Sequence, residues 1–174
     1  NTLIADSRAT LDELLTLING EHIRLGLFQE TIGPHARHVL DHYDELFEGL
    51  ATGSVDYDAR ARDTRTEQDR SFAAHRVRKV QMNLEQLSGQ AATTELRVRC
   101  STSPDTDAVE CTSSLGRELV FLQSHCIHHL AVIAGMARAN GMELHADLGK
   151  APATIAQERS VSYTHLTLPT SDLV

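Results

Sequence analysis

Apolar residues return at helical spacing over most of this chain. From Thr2 to Asn19, Leu3, Leu11, Leu14, Leu15 and Ile18 form one stripe with Asp12 and Glu13 opposite it, which predicts an amphipathic helix. Gly20 to Ile32 reads as a connection. Gly33-Pro34 then predicts the start of a second helix, because proline suits the first helical position, where no N–H is needed. That helix extends to about Ala51, with Val39, Tyr43, Leu46 and Leu50 in one apolar arc. The polar run ATGSVDYDARARD predicts an excursion over the surface. A third helix is expected from roughly Thr66 to Ser88, with Phe72, Val80, Leu84 and Leu87 pointing inward. LRVRCSTSPDTDAVECTSS predicts two short strands around a Ser-Pro-Asp turn, and a fourth helix spans about Leu115 to Asn140, stopped by Gly141. The expected fold is therefore all-α: a four-helix bundle with a short β-hairpin inserted before the last helix.

Composition narrows the partners. A chain of 174 residues is long enough for one domain with a real core. Its formal net charge of −8 argues against a nucleic-acid partner. No apolar run reaches the roughly 20 residues that a membrane span requires, so no membrane partner is expected. Three cysteines, an odd number, fit a reducing compartment, which gives a cytoplasmic expectation. Val161 to Thr170, VSYTHLTLPT, closely resembles a translated sequencing adapter. Residues 1–158 are accordingly expected to be the domain and 159–174 a non-native tail, with a short start missing before Asn1 and the natural C-terminus lost. His165 is not counted among the functional histidines.

Six of the remaining histidines fall in two clusters. On the second helix, His35, His38 and His42 lie along one edge of the apolar arc, while Arg37, Asp41, Asp44 and Glu48 take the far side. On the fourth, His125 and His129 are one turn apart and share a face with Phe121, Leu122, Val132 and Met136. Glu118 lies on that face two turns before His125, His128 sits at its edge, and Cys126 is rotated away. Two imidazoles one turn apart can hold a divalent ion, and a third from a facing helix completes an open tripod. Three protein ligands plus water is the arrangement of catalytic zinc sites. The plain alternative is core histidines bonded to backbone or carboxylates, but that many inward imidazoles are costly to bury without partners.

IGPHARHVLDH followed much later by GRELVFLQSHCIHHLAVIAG resembles the DinB-like family, also called DinB/YfiT-like, and YDARARDTRTEQDR resembles one branch of it. The resemblance covers essentially residues 1–158. It implies a four-helix bundle with a divalent metal on three histidines: His38, in the I-G-x-x-x-x-H context, and His125 and His129 in H-x-x-x-H. His35 and His42 share the edge of His38 and stay open as replacements for it. The family also implies metal-dependent chemistry with low-molecular-weight thiols, as transferase or isomerase, on a small-molecule substrate. Such a metal binds a thiol, lowers its pKa and holds the thiolate beside an electrophile. Zinc and nickel both suit three imidazoles with open positions. A homodimer is a further expectation.

Glu118 is the candidate catalytic residue, as a general base or as a partner that orients an imidazole; an ion pair with an arginine is the plainer reading. The competing functional class is a non-catalytic metal-binding or stress-response protein whose closed site only ties the bundle together. The alternating-sign run Asp58 to Arg78 reads as a solvated face, with Arg60, Arg62 or Arg65 at a pocket mouth, attracting an anionic cosubstrate, as the sharper alternative. In the hairpin, a turn centred on Asp105-Thr106 would set Cys100 directly opposite Cys111, close enough for a disulfide that a reducing cytoplasm would normally keep open.

Overall fold

The computed structural model describes residues 2–21 and 23–161 in full and the backbone of 162–166. In chain order it contains α1 (Thr2–Asn19), α2 (Leu25–Leu27), a π-helical turn (Phe28–Ile32), α3 (Gly33–Leu50), β1 (Ser54–Asp56), α4 (Arg65–Gln68) and α5 (Arg70–Gln86). After a short 3₁₀ turn come β2 (Glu95–Cys100), β3 (Val109–Ser114), α6 (Leu115–Ala139) and α7 (Pro152–Leu166). The chain is mostly helical with one small sheet.

Four long helices surround the core. α1 packs on α5 and α6, and α3 packs on the same two from the other side. The stripe expected on α1 is the buried one: Leu11, Leu14 and Ile18 are enclosed, joined by Ile4 and Leu17. From α5 come Val77, Val80 and Leu84, and from α6 Leu119, Leu122, Leu130 and Ile133. Two α6 residues expected inside are not: Val132 is half-buried and Met136 exposed. Among the described residues α6 is also the one helix long and apolar enough to cross a membrane by length and composition. Its run is broken by Arg117, Glu118 and three histidines, which is why no uninterrupted apolar stretch is visible in the sequence.

Three local differences from the sequence reading bear on the site. First, the segment before Pro34 is helical rather than a connection. Pro34 does sit in the first turn of α3, but it has no N–H to donate, and the preceding turn widens to π geometry with Gly33 N–H bonded to Phe28 C=O. Second, Asp41 is buried, not solvated. Its carboxylate takes two bonds of 3.0 Å from Arg76 of α5, which also reaches Asp44 at 2.6 Å. That pairing locks the back of α3 so that the opposite edge, with the histidines, faces α6.

Third, the polar excursion is partly a strand, so the sheet has three strands rather than a hairpin's two. β1 pairs in parallel with β2, Val55 opposite Val98, and β2 pairs antiparallel with β3. β1 presses on the end of α3 at Gly49, where an added Cβ would stand 2.7 Å from the Ser54 carbonyl, so glycine is required there by close approach. The β2–β3 register also differs from the expected one: Val98 faces Cys111 and Cys100 faces Val109. Asp58 accepts from the Ser101 N–H at 2.6 Å, which ends β2 and leaves a longer loop than a tight turn needs. Cys100 and Cys111 are thus diagonal neighbours on one face, and both are free thiols.

Of the expected non-native tail, 167–174 lies outside the described residues. The preceding stretch is the end of α7.

Candidate metal centre

α3 and α6 bring five imidazoles together. His38 stands 5.0 Å from His125 and 4.8 Å from His129, ring centre to ring centre, and His125 and His129 are 4.5 Å apart. These are the three ligands the family resemblance implies, and their rings lie side by side. The two open alternatives lie at either end of the group. His35 reaches His129 with an Nδ1···Nδ1 distance of 2.7 Å. His42 lies 4.5 Å from His38 and 4.6 Å from His125 by ring centres. His128 is exposed on α6, at the edge where helical spacing puts it.

Hydrogen bonding sorts these rings. His42 Nδ1 lies 2.7 Å from the His38 carbonyl; a carbonyl only accepts, so Nδ1 carries the proton. Its Nε2 then accepts from Arg60 Nη1 at 3.2 Å, which occupies both nitrogens. His125 is the opposite case. Its Nε2 is buried without a hydrogen-bond partner among the described residues. Buried polar atoms are normally paired, and an orphaned imidazole nitrogen among other imidazoles is the donor set a divalent cation satisfies.

Two sets of three contain that nitrogen. By ligand-atom distance, His38, His42 and His125 come within 4.8 Å of one another and could hold a metal ion. The resemblance instead puts His129 with His38 and His125. The sets differ only in the third ligand. We favour His129, because His42 already gives its lone pair to a guanidinium, and a second cation at that nitrogen would have to expel the first. His129 can instead pass Nδ1–H to His35 and keep Nε2 free, the arrangement in which an outer partner fixes a ligand's tautomer.

Electrostatics keep the group ready to ligate. Burial is the first cause of a lowered pKa at all five rings, and neighbouring imidazoles add to it in most of them. His38 and His129 are brought down to about 3 and His125 to about 4. At neutral pH all three are uncharged, so no proton has to leave before a cation binds.

Glu118 is not aimed at an imidazole. It is buried, and its carboxylate accepts from Tyr57 Oη at 2.8 Å, Ser113 Oγ at 2.5 Å and Arg117 Nη1 at 3.2 Å. Among the described residues no hydrogen bond joins it to a histidine. What it holds is Tyr57, whose ring packs 5.6 Å from His42 and 5.5 Å from Phe121. Phe121 in turn stacks on His125 at 5.7 Å and 19°. Tyr57 and Phe121 therefore wall the outer side of the cluster. Burial and the neighbouring carboxylate push the Tyr57 hydroxyl far above its ordinary pKa. Tyr57 escaped the sequence reading because it lies in a polar run; the short alternation Ser54-Val55-Asp56 was the available signal.

Beside this wall opens a cavity of about 610 Å³ between α6, the β2–β3 face and the segment after β1. His42 connects it to the cluster, and Arg60, Arg117, Cys100 and Cys111 also line it. Arg60, weighed in the sequence as a pocket residue, does line it. Arg65 instead lies over the Phe72 ring at 4.3 Å, and Arg76 is absorbed by Asp41.

No family model matches the chain, and no solved structure matches it. A curated protein described as FK506-binding protein 5, from Rhizopus delemar, is 32% identical to this chain over 102 residues. The match covers 58% of this chain and 26% of that protein, so the similarity is partial on both sides.

Proposed function

We propose that the chain is a divalent-metal-dependent enzyme built as a DinB-like four-helix bundle, with His38, His125 and His129 as ligands and a low-molecular-weight thiol as cosubstrate. The observation that carries the metal reading is His125 Nε2, buried and unpartnered amid imidazoles whose low pKa values keep them neutral. An ion held by three imidazoles, zinc or nickel, would supply Lewis-acid activation of a thiol at its open position. The chain's own residues do the positioning. His35 takes the outer nitrogen of His129, and Phe121 and Tyr57 fix the outer faces of His125 and His42. Glu118 holds Tyr57, and acting as a base would require it to give up one of three bonds.

The cavity favours the catalytic over the purely structural class, since it gives a small thiol and an electrophile a place beside the cluster. His42 supports the second reading: were it to leave Arg60, it would make a fourth ligand and a closed, structural site. Cobalt substitution separates the two. An open three-imidazole site changes its visible absorption when 2-mercaptoethanol is added. A spectrum indifferent to thiol, in a protein with four histidine ligands, supports the structural reading and overturns the catalytic one.

A further inference from the structure

The cavity beside the histidines carries guanidinium N–H donors that are not committed. Four of its lining residues are formally ionised: Asp58, Arg60, Arg117 and Glu118. The two carboxylates are already answered. Glu118 takes three donors, and Asp58 accepts the Ser101 N–H and stands near Arg60 and Arg99. The two guanidiniums share in those pairings but keep donors to spare. Arg60 uses Nη1 alone, giving it to the Tyr57 carbonyl and to His42, and its Nε and Nη2 make no hydrogen bond among the described residues. Arg117 likewise bonds through Nη1 alone, with its guanidinium 5.3 Å over the Phe121 ring.

Both arginines are held in place by bonds that leave other N–H groups uncommitted. A planar guanidinium fixed this way presents paired donors matched to a carboxylate. Arg60 also touches His42, so an anion bound to it lies one residue from the metal centre.

We propose that this cavity is an anion-recognition site in which Arg60 and Arg117 receive the carboxylate of the small molecule whose thiol reaches the histidine cluster. The cosubstrate is then a carboxylate-bearing thiol rather than a neutral one. This rests on the thiol reading above for the thiol half of the ligand, but not for the carboxylate half.

The test compares mercaptosuccinate with 2-mercaptoethanol by absorption titration of the cobalt-loaded protein, and succinate by calorimetry on the chelator-treated protein. The wild type should bind mercaptosuccinate at least about tenfold more tightly than 2-mercaptoethanol, the scale of one charge-assisted hydrogen bond. In Arg60→Met the ratio should fall toward one. Arg117→Met, which touches no histidine, should lower it as well, so the outcome does not depend on an undisturbed His42. Succinate should bind the metal-free wild type and be lost from both variants. Equal affinity for the two thiols in the wild type, or a preference that survives in both variants, overturns the proposal. If neither thiol alters the spectrum, the thiol-enzyme reading fails. In that case succinate binding that both arginine variants abolish still upholds the anion site, and its absence overturns it.

Discussion

Acid should unfold the metal-free protein through its histidines. Each imidazole of the proposed tripod has a folded pKa well below its ordinary value of 6.5: about 3 for His38 and His129, about 4 for His125. Below pH 6.5 the unfolded chain therefore binds protons that the folded chain refuses, so stability falls as pH drops and is unaffected above that range. At pH 5 each group contributes a loss of up to about 2 kcal/mol, at roughly 1.4 kcal/mol per pH unit below 6.5. The rings are only half-buried, so solvent screening cuts this to about 1 kcal/mol each, or roughly 3 kcal/mol for the three. Glu13 and Glu45, whose carboxyls are raised by burial, act in the opposite direction and slightly offset the loss. With a urea m-value of about 2 kcal/mol/M, the midpoint should drop by about 1.5 M between pH 7 and pH 5. Far-ultraviolet circular dichroism of chelator-treated protein reads this directly. The triple variant His38→Ala, His125→Ala, His129→Ala should weaken the dependence, leaving the part that His35 and His42 carry. A drop of the same size in that variant, or no drop in the wild type, would refute the reasoning.

Other consequences are equally concrete. Arg76→Met strands the buried Asp41 carboxylate with only Arg37 at 3.4 Å, and should cost about 3–5 kcal/mol in urea denaturation; adding Asp41→Leu should recover most of it. Gly49→Ala forces a Cβ to within 2.7 Å of the Ser54 carbonyl, and should lower stability by about 1–3 kcal/mol in the same assay. Alkylation of native protein should label exposed Cys111 first and leave Cys126 untouched until unfolding, because burial encloses that thiol and pushes its pKa up to about 12. Full labelling after unfolding without reductant should count three thiols, and fewer would restore a Cys100–Cys111 bond.

The helices and their histidine edges were legible because helical periodicity is local. Leu11, Leu14 and Ile18 repeat on one face whatever they pack against, and the edge with His35, His38 and His42 and the face with His125 and His129 could be aimed at a common core by angle, with His38 singled out by the resemblance alone. What stayed hidden depends on chain segments far apart. Asp41 reads as solvated until Arg76, on α5, is known to face it. Val55 and Tyr57 read as surface until β2 supplies a neighbour for β1. The Cys100–Cys111 pairing failed because the register is two residues away, Cys100 facing Val109, and the Ser101 N–H goes to the distant Asp58 instead of into the ladder. The same limit explains Glu118: its position on α6 was correct, but its partners Tyr57 and Ser113 come from outside that helix.

Metal content of tag-free protein tests the central claim most directly. Elemental analysis, combined with X-ray absorption at the metal edge, should find one divalent ion per chain with three imidazole ligands. His125→Ala and His129→Ala should each abolish stoichiometric binding while the protein stays folded. His128→Ala, at the exposed edge of α6, should retain it. His42→Ala should also retain it; loss there with retention in His129→Ala would move the third ligand to His42. Undiminished metal in His125→Ala would contradict the assignment, since the imidazole nitrogen that is buried and unpartnered among the described residues would then play no part in holding the ion.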